Sequence, residues 1–339
     1  MNYSNVQFSG LSALFKIDLK LFVLVMLIVV IGLATLFSVS GGDINLIIKQ
    51  LIRIAIGLTA MIILAQIHPD NFRLFSPFLY IFGIILLVLT IFFGVGKSAD
   101  RWLDFYIFRF QPSELMKLFV PLMIASFYSD KALPPKLKNL SIAVIIIIIP
   151  GLLIAKQPDL GTALLITSSG VIAIFLSGIK LAHIFLGTGL VIGAIPLLWS
   201  FMYEYQKSRI LSFFSPNTDA LGTGYHLAQS KISLGSGGLF GKGYMNGTQS
   251  QLDFLPENHT DFIFSMLGEE FGFLGTLSVI GLICLISYMA YDITGRFIHN
   301  NFKRMVGLGI ITNFFFASFI NISMVIGILP IVGLPLPLV

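Results

Sequence analysis

The chain has 339 residues, of which 56% are hydrophobic and only 11% charged, against about 25% charged in a soluble domain. That balance, with a mean hydropathy of +0.93, excludes an ordinary soluble enzyme and predicts an all-α polytopic membrane protein. The net charge of +5 reflects basic residues at the ends of apolar runs, where topology signals and head-group contacts account for them without nucleic acid. The lone Cys284 excludes a disulfide framework and a cysteine-based metal site.

Lys16 and Lys20 precede an apolar run over 21–39. It is longer than a signal-peptide core and has no small-residue cleavage site, so it reads as a first span after a cytoplasmic segment, 1–18. Further spans are expected at 46–67, 74–95, 113–129, 140–155, 161–179, 182–202, 262–290 and 305–329, each near the roughly 20 residues that cross the hydrocarbon. The expectation is one integral membrane domain over 1–339 with nine spanning helices. A large extracytoplasmic loop, 203–261, separates spans seven and eight. With the N-terminus inside, 10 of the 21 Lys and Arg residues fall on the inner side. The positive-inside rule therefore leaves orientation open.

Polarity concentrates at one end of the spans. Gly96–Asp104 carries Arg101 and Trp102 and leads to Arg109 and Gln111-Pro112-Ser113-Glu114. Pro112 in a first turn with Glu114 behind it is a helix start. Glu114 and Lys117 are three apart and share a face, where they can neutralise each other near lipid or shape a site. A second stretch, Gln157-Pro158-Asp159-Leu160-Gly161-Thr162, has the composition of a tight turn. A third, 333–339, is apolar and broken by two prolines.

The long polar stretch holds a glycine-rich run, 235–243. It is not a nucleotide P-loop, because the position five before Gly241 is Ser236 and Gly243 follows Lys242. Its amides could cradle phosphate, with Lys231 and Lys242 nearby, or it is only a turn. Asp261 stands directly before an apolar helix. It is either a cap or a general base at the membrane surface. Glu269 and Glu270 lie two turns further on between Gly268 and Gly272. They are functional candidates by their depth, or markers of a broken helix. His259 is a local hydrogen-bonder or a ligand, and Asp43, Asp219 and Asp253 read as solvated.

These residues resemble the SEDS family (shape, elongation, division and sporulation). The resemblance rests on Arg101-Trp102, Gln111-Pro112-Ser113-Glu114, Gln157–Thr162, Leu255-Pro256-Glu257, His259–Phe264 and Gly333–Pro337, which occur in family order over nearly the whole chain. Gly247–Leu252 and Gly327–Gly333 favour its elongation branch over its division branch.

The resemblance implies a peptidoglycan glycosyltransferase that polymerises lipid II on the outer face of the bacterial cytoplasmic membrane. It would work with a class B penicillin-binding protein and other elongation proteins. It also implies ten spans with both ends cytoplasmic, the tenth and a last motif lying beyond Val339. By position, Asp261 is the family's essential acidic residue. As general base it would deprotonate the acceptor hydroxyl, which attacks the anomeric carbon with inversion to give a β-1,4 link. Arg101, Lys117, Lys231 and Lys242 are the expected diphosphate contacts. Glu114, Asp159, Glu257, His259 and Glu269 shape the site, and Arg109 is a further candidate. A divalent cation, Mg or Mn, could assist the diphosphate, although no ligand spacing marks a metal site. A lipid II flippase and a non-catalytic scaffold remain the competing readings.

Overall fold

The computed structural model describes residues 16–96, 101–104, 109–214, 223–251, 259–297 and 299–339. Seven of its helices are long and apolar enough to cross a membrane. They are α1 (Leu19–Val39), α2 (Ile44–Gln66), α3 (Pro69–Phe93), α5 (Leu137–Lys156), α7 (Leu181–Phe201), α11 (Ile263–Gly295) and α12 (Asn301–Ile326). Two shorter helices, α4 (Pro112–Ser129) and α6 (Leu160–Leu176), fall on the two other expected spans. Local chemistry sets the starts: Asp18, Asp43, Asp159 and Asn300 accept from backbone amides at the N-termini of α1, α2, α6 and α12. Asp43 is thus a cap rather than a merely solvated residue.

The helices have little soluble character. Pro77, Pro121, Pro150 and Pro196 lie inside them, as membrane helices tolerate. Glycines sit at crossings: Gly83 of α3 lies against Met116 and Phe119 of α4, Gly170 of α6 against Ile147 of α5, and Gly309 of α12 against Pro121 of α4. Such small residues let backbones approach where lipid removes the hydrophobic drive between helices.

Two apolar clusters result. One joins α3, α4, α5, α6 and the start of α12 around Leu87, Met116, Tyr128 and Ile166. The other joins α1, α11, the end of α12 and the final segment around Ile28, Phe264, Met324 and Leu336. By contrast α2 buries no residue, and no described side chain of α7 is buried. Ile52, Ile56, Phe185, Leu190 and Val191 all face outward. Apolar surface on this scale belongs to a lipid-facing helix.

The stretch 203–261 is less of a loop than its composition suggests. It contains α8 (Glu204–Phe214), α9 (Thr223–Ser236) and the single turn α10 (Thr248–Gln251), and α9 packs on both α11 and α12. Its serines supply the reason. Ser230 donates to the carbonyl of Val325 (2.8 Å) and Ser233 to that of Ser265 (3.1 Å), and both are fully buried. A two-stranded ribbon, β1 (Leu103–Asp104) with β2 (Arg109–Phe110), lies ahead of α4.

Candidate active site

Asp261 stands one residue before the N-cap of α11, Phe262, and so outside the capping position. Its backbone is fixed from below. Asn321 of α12, wholly buried, donates through Nδ2 to the carbonyls of both Asp261 (2.9 Å) and Leu334 (2.6 Å). One amide therefore ties the start of α11 to the final segment, and a buried amide so engaged is costly to replace.

That final segment, 328–339, threads through the site. Gly333 has φ +78°, where a side chain is strained, and it faces the carboxylate. A Cβ built there would lie 3.5 Å from Asp261 Oδ2 and 3.8 Å from Arg209 Nη1. Arg209, from α8, also donates to the carbonyls of Ile331 and Val332 (3.4 Å each). On the other flank Gly161 of α6 abuts Val332 and Leu334, which brings the turn before α6 against the same segment.

In that turn Asp159 is 3% exposed and does three things. It caps α6 through Thr162 N (3.1 Å), accepts from Gln111 Nε2 (3.1 Å) and pairs with Arg101 Nη1 (3.4 Å). Arg101 is thus held at the turn before α6 with its charge shared. Lys117 pairs with Glu114 (2.7 Å), and its carbonyl accepts from Asn313 of α12. Asn313 precedes Asn321 by eight residues, so Lys117 lies roughly 12 Å further along the bundle than the Asp261 level. Lys231, on α9, has its chain against Gly327 and neither an ion pair nor a hydrogen bond among the described residues. Arg109 pairs with Asp104 (3.2 Å) on the exposed ribbon. His259 Nδ1 is buried without a partner among the described residues, and Glu257, with Asp219 and Asp253, lies outside them.

Lys242 is engaged by a buried carboxylate. Its Nζ is 2.6 Å from Glu269 Oε1, and Glu269 is fully buried. That carboxylate also accepts from Thr248 N (3.0 Å), Thr248 Oγ1 (2.8 Å) and Gln249 N (3.1 Å to Oε2). Withdrawing Lys242 to hold a diphosphate would leave a buried carboxylate without its counter-charge. In this structure Lys242 and Glu269 form a buried structural tie.

The glycine-rich run has a structural use as well. Helix α11 is broken at Gly272 (φ 68°, ψ −163°), which frees backbone groups within the apolar layer. Lys242 N and Gly243 N donate to the carbonyls of Glu269 and Glu270 (2.9 and 3.1 Å). Phe273 N and Leu274 N donate to those of Gly238 and Leu239 (2.9 and 3.2 Å). A Cβ on Gly241 or Gly272 would strike the opposing backbone. The run plugs the break, so those amides are not free for phosphate. Glu270, beside it, accepts from Ser38 Oγ of α1 at 2.5 Å.

The sequence reading missed Arg209 and Asn321. Asn321 left a signal, a lone amide in the apolar run of α12, whereas Arg209 sits in a stretch with nothing to separate it from its polar neighbours.

Comparison with known proteins agrees with this architecture. The peptidoglycan glycosyltransferase MrdB of Escherichia coli K12 is 46% identical over 325 residues, covering 95% of this chain and 88% of that protein. A probable peptidoglycan glycosyltransferase FtsW of Haemophilus influenzae is 33% identical over 339 residues, covering 95% and 84%. Among solved structures, a peptidoglycan synthase complex that coordinates polymerisation and crosslinking superposes with a TM-score of 0.83 at 25% identity, over 95% of this chain and 90% of the other. The rod-shape-determining protein RodA of Thermus thermophilus superposes with a TM-score of 0.71 at 24% identity, over 95% and 89%, and shares the fold. The cell cycle protein family model FTSW_RODA_SPOVE matches residues 12–339, and this multi-span membrane protein belongs to that family.

Proposed function

We propose that the protein is a peptidoglycan glycosyltransferase that polymerises lipid II at the outer face of the bacterial cytoplasmic membrane, with Asp261 as general base. The observation that carries it is a carboxylate one residue ahead of the N-cap of α11, its backbone anchored by Asn321, lying beside Gly333 with the Arg209 guanidinium close to the same glycine. Relatives at 46% and 33% identity carry the name of this activity. The acceptor hydroxyl donates its proton to Asp261 as its oxygen bonds to the anomeric carbon of the donor. The bond from that carbon to the lipid diphosphate breaks, and the diphosphate leaves with the electron pair.

Lys231 and Arg101 are the cations best placed for the leaving group. Lys231 has no ion-pair partner among the described residues, and Arg101 pairs with Asp159 in the turn before α6, whose Gly161 abuts the final segment. Lys117, with Glu114, meets the diphosphate deeper in the bundle, and His259 and Glu257 complete the proposed set of site-shaping residues. Among the described residues no three His, Cys, Asp or Glu side chains converge. The proposal has a Mg or Mn ion arrive with the diphosphate. The proposal includes nine spans in this chain, and a tenth in the family pattern. The 203–261 segment lies outside, where α8 and α9 cap the bundle. The partner is a class B penicillin-binding protein, which fits the likeness to a synthase complex that couples polymerisation to crosslinking.

The test supplies the full-length protein and its partner with labelled lipid II and resolves the products on a gel. A ladder of glycan polymer is the expected result. Lipid II carried across vesicle membranes unchanged, with no ladder, would make the protein a transporter.

A further inference from the structure

A carboxylate that must accept a proton from one hydroxyl needs its charge and its direction fixed before substrate arrives. Phe262, Ile263 and Leu334 are all buried and apolar, and Asn321 binds the backbone of Asp261 rather than its side chain. The polar group across the gap is Arg209. Among the described residues, leaving aside Gly333 and its two chain neighbours, its Nη1 and Asp261 Oδ2 are the atoms nearest to the position a Cβ on Gly333 would take. The guanidinium is fastened to Ile331 and Val332, the carboxylate's backbone is tied to Leu334, and Gly333 lies between them. Cation and carboxylate are thus both tied to one short segment.

We infer that Arg209 is the positioning residue for Asp261: it holds the carboxylate charged and turned toward the hollow over Gly333, where the acceptor hydroxyl is received. The inference rests on the reading of Asp261 as the base. An arginine suits the task because its charge does not titrate and its planar fork can grip two carbonyls while still presenting N–H groups to a carboxylate. Gly333 completes the device, since a methyl there would stand in the hollow itself. Helix α8 consequently belongs to the active site, although it lies between spans.

The test uses the full-length protein with its partner and compares Arg209→Gln, Arg209→Lys and Asp261→Asn with wild type. Polymerisation is followed over a range of lipid-linked disaccharide concentrations, and each variant is melted. Arg209→Gln is expected to lower kcat about 100-fold, the scale of a misplaced catalytic group, with the half-saturating concentration unchanged. Arg209→Lys, which keeps the charge and loses the fork, should recover about a tenfold part of that loss at the wild-type melting temperature.

A loss confined to the half-saturating concentration would overturn the inference and make Arg209 a diphosphate ligand. An unchanged kcat, or a lysine variant no better than glutamine with both melting low, would reduce it to a fastening of the segment. Should the glutamine variant fail to fold, the lysine variant decides alone. A folded lysine variant with reduced kcat at unchanged half-saturation supports the inference, and wild-type kcat opposes it. Normal turnover by Asp261→Asn would refute the base itself. A dead Asp261→Asn beside a fully active Arg209→Gln would refute only the role of Arg209.

Discussion

Lys242→Met offers a decision between two uses of the same cation. In the structure the ammonium reaches a carboxylate with no solvent exposure, 2.6 Å away, and itself remains 28% exposed. Removing one partner of a buried pair costs about 3–5 kcal/mol, mostly because the other charge is left behind. Glu269 would retain Thr248 N, Thr248 Oγ1 and Gln249 N, and Lys242 is partly solvated, so the lower end, about 3 kcal/mol, applies. The loss should loosen the glycine-rich plug, because Lys242 N and Gly243 N seal the carbonyls of Glu269 and Glu270. The assay is thermal unfolding of the purified protein in detergent, alongside polymerisation with labelled lipid II at saturating and sub-saturating levels. The expected result is a melting temperature several degrees lower, with half-saturation unchanged in the molecules that stay folded. Wild-type melting with a large rise in half-saturating lipid II would refute the tie and return Lys242 to the diphosphate.

Three other outcomes follow from the same geometry. Gly272→Ala forces a side chain into a glycine-only conformation and against the backbone of Leu239 and Gly241; a cost of at least about 1–3 kcal/mol is expected, and unchanged melting would contradict the broken-helix description. Asn321→Leu strips the carbonyls of Asp261 and Leu334 of their shared donor. It should cost about 2 kcal/mol at roughly 1 kcal/mol per bond and lower kcat more than it alters lipid II half-saturation, which steady-state kinetics would show. Asp159→Ala removes the α6 cap and the partner of Arg101. Loss of the cap alone is worth about 1 kcal/mol, so Asp159→Asn, which can still cap, should melt higher than Asp159→Ala.

Hydropathy and turn chemistry made the helices legible to within a few residues where a cap or a proline marks the boundary. Pro112 begins α4 as its type suggests, and the turn 157–162 holds Asp159, the N-cap of α6. Where polar residues continue a helix past the apolar layer the reading fell short, as in α11, which runs on through Asp292 to Gly295. Helices α8 and α9 were invisible because they are amphipathic pieces stabilised by contacts with α11, α12 and the final segment, and composition says nothing of those contacts. Three of the motifs meet in the structure: Asp261 lies beside Gly333 of the final segment, and Gly161, in the motif that holds Asp159, abuts Val332 and Leu334. The roles of Lys242 and the glycine-rich run could not be read. Both depend on which backbone lies opposite Gly272, a fact of tertiary packing. Arg209 was unreadable for the same reason, since its place beside Asp261 exists only after 331–333 has been laid against α8.

The central claim is that Asp261 performs the proton transfer. The direct measurement is the polymerisation rate of Asp261→Asn, with its partner and saturating lipid II, on protein shown by melting to be as stable as wild type. A fall of about 100- to 10,000-fold, the usual worth of a general base, is the predicted result. A rate within a few-fold of wild type from that folded variant would contradict the account.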